Sequence, residues 1–199
     1  EGQVIINTLC SYIRSSFNLA SKIEDLSQDQ TPEDYEGGDQ QFVKDRAKLR
    51  EEQELRLAIL EAIKNRLNSG TEKPIKGPWS NFDYDFSNAI FFYSAIFNNS
   101  LFGASSNFFG ATFTQDTDFS GTTFTERAPF SGAIFTKEVD FSRVTFTQDA
   151  DFSETTFTER APFSRATFLQ DANFSRAAFT RDADFSEAEF TEYAGFLGA

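Results

Sequence analysis

The groups in this 199-residue chain best suited to chemistry are its carboxylates, 31 of them against 18 lysines and arginines. Asp116, Asp118, Glu138, Asp140, Asp149, Asp151, Asp182 and Asp184 stand out because they recur at regular places in the C-terminal part. Repeated carboxylates could serve acid–base catalysis or present charge to a basic partner. The remaining residues narrow that choice. There is no histidine, which removes the commonest general base and metal ligand. The one cysteine, Cys10, lies among Val4, Ile5, Ile6, Leu9 and Ile13 and reads as a buried apolar thiol. Alone it can build neither a zinc site nor a disulfide, so no oxidising compartment is implied. No phosphate-cradling glycine loop or nucleophile elbow occurs. The expectation is a protein that is not an enzyme, with no catalytic, cofactor or metal site. Its carboxylates then read as solvated outer faces and candidate interaction columns.

What must position those columns is a line of 21 phenylalanines at alternating five- and six-residue steps. It runs through Phe86, Phe91, Phe97, Phe102 and Phe108 into Phe113, Phe119, Phe124, Phe130, Phe135, Phe141, Phe146, Phe152, Phe157, Phe163, Phe168, Phe174, Phe179, Phe185, Phe190 and Phe196. So strict a period marks a solenoid of stacked coils. Two residues before each phenylalanine stands Ala, Ser, Thr or Val, with Tyr84 the exception. In extended chain these two positions share a side, so a large and a small residue can fill one interior. Four such sides make a coil of 22 residues, and five coils make a rod about 24 Å long. The Ser or Thr that follows most phenylalanines suits a corner where its hydroxyl bonds local backbone.

Units such as Ala150-Asp151-Phe152-Ser153-Glu154 and Ala172-Asn173-Phe174-Ser175-Arg176 carry a family resemblance. Small residue, Asp or Asn, large apolar centre, Ser or Thr, then a variable residue resembles the pentapeptide-repeat proteins. The resemblance covers about residues 82–199 and implies a mainly β fold, a right-handed quadrilateral β-helix with its centres stacked in columns. This chain departs in using phenylalanine where the family often has leucine. It also adds a sixth residue to every second unit, from Phe113 onward Asp116, Arg127, Glu138, Asp149, Arg160, Asp171, Asp182 and Tyr193. Each extra residue is expected to form an outward bulge at a corner. Residues 113–145 and 146–178 are near-duplicates, which points to duplication of three eleven-residue units.

Ahead of the repeats, residues 1–78 read as a helical segment and 79–199 as the repeat domain. Val4, Ile5, Leu9, Tyr12 and Ile13 predict a helix over 3–17, and residues 27–39 read as a polar linker. Asp39 is expected to cap a second helix over 40–67, whose stripe is Leu55, Ala58, Ile59, Ala62, Ile63 and Leu67. Asn68-Ser69-Gly70 and Pro74 end it; Trp79, Phe82 and Tyr84 are expected to plug the first coil. This layout resembles a group of actinobacterial pentapeptide-repeat proteins in which membrane-spanning helices often precede the helical segment. With Glu1 first and no methionine, the sequence reads as a fragment, so an upstream anchor is an implication of that resemblance. The repeat is still in phase at Ala199, which predicts either further chain or end-to-end pairing with another copy.

The charge is uneven: residues 1–80 hold 14 acids and 11 bases, residues 81–199 hold 17 and 7. Such a rod is expected to repel nucleic acid, to lack a membrane span and to reside in the cytoplasm. The leading expectation is a structural or protein-interaction module, a rigid acidic rod with a helical cap and an unidentified protein partner. The family resemblance implies an alternative, a DNA-like shape that modulates gyrase. Arginines and prolines interrupting the acid columns weigh against it. A third reading, ice binding, draws on Thr-Phe-Thr triplets at 112–114, 123–125, 145–147 and 156–158.

Overall fold

The computed structural model describes residues 1–68, 70 and 74–199. Among these, 21 two-residue strands run from Tyr84–Asp85 to Ala194–Gly195. Each pairs in parallel with residues 22 positions away: Ile90 with Thr112, Thr112 with Ile134, Ile134 with Thr156 and Thr156 with Ala178. The chain is therefore a four-sided parallel β-solenoid of about five coils, mainly β, with a helical segment before it.

The interior follows from the side-chain pattern. The ladder phenylalanines from Phe86 to Phe174 are at most 1 % exposed, and their small partners, such as Ala128, Ala150 and Val144, are equally buried. Rings one coil apart stack nearly parallel: Phe91 on Phe113 at 4.5 Å and 1°, Phe168 on Phe190 at 4.7 Å and 0°. Two opposite columns also meet edge to face across the rod, as in Phe130 against Phe141 at 5.5 Å and 88°. Stacked and T-shaped pairs are the two favoured geometries for aromatic quadrupoles. A herringbone of both fills the coil, which gives phenylalanine a reason to replace leucine at the centres. Cover fades at the last coil, where Phe179, Phe185 and Phe190 are half-buried and Phe196 is 41 % exposed.

Among the described residues three α-helices precede the coils: α1 (Gly2–Arg14), α2 (Ile23–Leu26) and α3 (Gly38–Leu67). The first is shorter than the expected 3–17, because Ser15 is extended and its hydroxyl donates to the Tyr12 carbonyl. Its buried stripe is Ile6, Cys10 and Ile13, while Val4 and Ile5 face outward, against expectation. A 3-10 turn (Asn18–Lys22) and α2 were not foreseen. The polar stretch 27–37 is built of turns and buries Tyr35, whose hydroxyl donates to Asp45. Gly37, in the left-handed region at φ +86°, caps α3 in place of Asp39, which lies in the first turn.

The buried stripe of α3 is Phe42, Asp45, Leu49, Arg56, Leu60, Ile63 and Leu67, so Leu55 is on the outside. Asn68 follows the helix and Ser69 lies outside the described residues. Arg56 replaces an apolar residue in that stripe because it closes the end of α1. It donates to the carbonyls of Ile13 (2.7 Å) and Ser15 (2.9 Å) and pairs with Glu52 at 2.7 Å. Its charge lies 5.4 Å from the Tyr12 ring centre and 5.1 Å from that of Phe92. The cap thereby joins the first coil, as Gln53 also does by donating to the Phe92 carbonyl. Tyr84 is buried in that coil, and Arg66 lies over Trp79 at 4.7 Å. The apolar surfaces of cap and coils form one continuous buried cluster. No helix among the described residues is long and apolar enough to cross a membrane.

Candidate protein-interaction surface

Function on such a rod must lie in what the corners and outer slots display. The five-residue steps turn tightly. The amide three residues after the phenylalanine closes back on its carbonyl, as in Thr122 N–H to Phe119 O at 3.1 Å and Val144 N–H to Phe141 O at 3.2 Å. The third residue of this turn is left-handed, at φ +64° in Gly121 and +66° in Gly132. Arg143, Glu154, Arg165, Arg176 and Glu187 adopt the same conformation at φ +55° to +58°, at a steric cost glycine does not carry.

The strand acids stabilise these turns. Asp118 accepts the Ser120 amide at 2.8 Å, Asp140 that of Ser142 at 2.7 Å, Asp151 that of Ser153 at 3.1 Å and Asp184 that of Ser186 at 2.9 Å. This Asx turn explains the Asp or Asn before the centre. The bond from Ser186 holds the Asp184 carboxyl below the usual carboxylate range. These four candidate residues are half-buried and already engaged by the fold.

The six-residue steps make wide corners of two kinds, diagonal across the coil. One contains Asp116, Glu138, Arg160 and Asp182; the other contains Arg127, Asp149, Asp171 and Tyr193. All eight side chains are exposed. The extra residue is not left opposite nothing, as a bulge would be. Register repeats every 22 residues, so its carbonyl joins the ladder: Glu138 O accepts the Thr117 amide at 3.0 Å and Asp171 O that of Ala150 at 2.9 Å. The hydroxyls of several threonines that follow a phenylalanine bond between coils rather than locally. Thr136 donates to Phe113 O, and Thr147 to Thr125 O at 2.9 Å. The second threonine of several triplets thus turns toward backbone, and the outward ones divide between two opposite sides. No continuous threonine plane results.

Ion pairs also follow the 22-residue register. Arg160 meets Glu138 at 3.5 Å, Arg165 meets Glu187 at 3.0 Å and Arg176 meets Glu154 at 3.0 Å. Asp151 faces Arg127 at 3.7 Å. Asp116, Asp149 and Asp182 have no such partner among the described residues. The eight candidate acids therefore divide into four turn-stabilising residues, one paired corner residue and three uncommitted corner residues. Sequence reading grouped them together, although the serine two residues beyond each strand aspartate was a usable signal. Cys10 is buried as expected, and burial pushes its thiol up to about 12.

Residues 108–156, 141–189 and 152–199 match the family model described as pentapeptide repeats (9 copies). No curated protein and no solved structure matches the chain.

Proposed function

From the premise that this chain is a pentapeptide-repeat protein, we propose that it works as a rigid, non-enzymatic interaction module. Its wide corners dock a protein partner with a basic surface. The observation carrying this reading is the division of labour among the acids. Those before the phenylalanines are consumed by the turns, whereas Asp116, Asp149 and Asp182 are exposed and uncommitted among the described residues. Charge spared from internal bonding is free to steer and orient a partner. Cross-coil pairs of arginine with glutamate lower the negative density on the tight turns and, between Glu138 and Arg160, within the Asp116 corner, which disfavours a uniform DNA-like surface.

The test is site-specific photocrosslinking in cells from positions 116, 149 and 143. Adducts with a discrete protein from 116 or 149, reduced by reversing the next acid on the same corner (Glu138→Lys or Asp171→Lys) and absent from 143, are the expected result. Equal labelling from all three positions, or none from either corner, would overturn the reading. Inhibition of gyrase supercoiling that survives both reversals would transfer support to the DNA-mimic alternative.

A further inference from the structure

The helical segment carries the opposite charge to the rod in one place. Lys44, Arg46, Lys48 and Arg50 are all exposed on the first half of α3, and none is in an ion pair among the described residues. Arg46 and Arg50 border a groove of about 820 Å³ together with Val43 and Ala47, and Asp29 and Asp39 also line it. Val43 is 64 % exposed, so apolar surface lies beside the two arginines.

A surface of complementary character exists on the same chain. At the Asp149 corner, Glu126, Asp149, Asp171 and Glu192 are exposed and make no ion pair among the described residues, Asp171 accepting the Tyr193 amide at 3.3 Å, and Leu169 is 39 % exposed beside them. Arg46 and Arg50 are one helical turn apart, about 6 Å along the axis. Carboxylates on successive coils are about 4.8 Å apart. Two arginines can thus meet acids on adjacent coils while Val43 and Ala47 cover Leu169. Within one copy these surfaces are kept apart. The 3-10 turn and α2 lie beside Thr114, Gln115, Thr136 and Lys137 at the diagonal corner, and α3 packs on α2.

We propose that this chain associates with itself head to side, the Arg46–Arg50 face of α3 docking on the Asp149–Asp171 corner of a second copy. This rests on the reading of the corners as docking surfaces and names a partner for one of them. The contact is heterologous, so each copy keeps one free surface of each kind and assembly is open-ended. Its polar, exposed charges make it weak and sensitive to salt. Anionic membranes and duplex DNA offer negative charge too, but neither supplies the apolar residue set between acids.

Sedimentation velocity of the full chain over a concentration series, at about 20 mM and about 300 mM salt, tests this. Association at low salt should weaken at high salt, and fall about tenfold in Arg46→Ser/Arg50→Ser and in Asp149→Asn/Asp171→Asn. Mixing the two variants should restore dimers but nothing larger, because each contributes one intact surface. Both variants change exposed groups, and matching circular dichroism melts verify their folding. A monomer under all conditions, or association equal in wild type and variants, overturns the proposal. So does binding of phosphatidylserine vesicles or duplex DNA through Arg46 and Arg50 without self-association. Crosslinks from position 149 to a different protein alone would sink this proposal and leave the corner reading standing.

Discussion

The guanidinium of Arg56 donates to the carbonyl of Ile13 at 2.7 Å, tying the middle of α3 to the end of α1. Its side chain is buried and Glu52 balances its charge, with the Tyr12 hydroxyl also donating to Glu52. Removing one member of a buried pair leaves the other uncompensated. Arg56→Ala should therefore destabilise by about 3–5 kcal/mol, read as an earlier loss of helical signal in thermal denaturation. Arg56→Met, which retains apolar packing, should cost less when paired with Glu52→Gln. Equal stability of Arg56→Ala and wild type would contradict the assigned role.

The left-handed turn column offers a gain. Arg143 sits at φ +57° with no ion pair among the described residues, where Gly121 occupies the equivalent place one coil earlier. Arg143→Gly should stabilise by about 1 kcal/mol, partly offset by glycine's greater freedom when unfolded. Arg165→Gly should gain less because it also removes the Glu187 contact. Denaturant midpoints at unchanged slope would measure both.

Neighbouring acids should behave differently. Asp140→Ala frees the Ser142 amide and should cost about 1 kcal/mol. Glu138→Ala affects an exposed pair and should stay within about 0.5 kcal/mol. If urea melts rank them the other way, the turn-stabilising role assigned to the strand acids is wrong.

In the herringbone, Phe130 stacks on Phe152 at 5.0 Å and meets Phe141 edge-on. Phe130→Ala should cost about 3–5 kcal/mol through the cavity it leaves. Phe130→Leu should cost less while losing the edge contact. A double-mutant cycle with Phe141→Leu should return a coupling of about 0.5–1.5 kcal/mol.

Acid should loosen the turn held by Asp184 and Glu187. The Ser186 amide lowers the Asp184 carboxyl, and Arg165 lowers that of Glu187. A depressed folded value contributes stability above the unfolded carboxylate range near about 4, lost as pH falls through the folded value. The protection of the Ser186 amide relative to its intrinsic exchange rate should therefore fall as pH drops through that range, and Asp184→Asn should weaken the dependence.

The repeat was legible because its signal is one-dimensional. Phe91, Phe113 and Phe135 sit 22 residues apart, and that spacing returns as strand register and ring stacking. The helical segment was read less well, since Val4 and Ile5 are as apolar as Ile6 and only the surface they meet selects among them. Arg56 was invisible for the same reason: nothing local indicates that a cation in an apolar stripe will close another helix. The candidate acids were visible as a column but not as two kinds.

By itself, the sequence determined the coil, its period, its inward phenylalanines and its acidic exterior, because a residue stacked on its own repeat meets a neighbour that the period names. Only the tertiary structure decided which helix face is buried, which aspartates serve turns and which corner carboxylates are left for a partner. Those outcomes depend on groups brought together from distant parts of the chain, as Ile13 and Arg56 are, and no periodicity connects them.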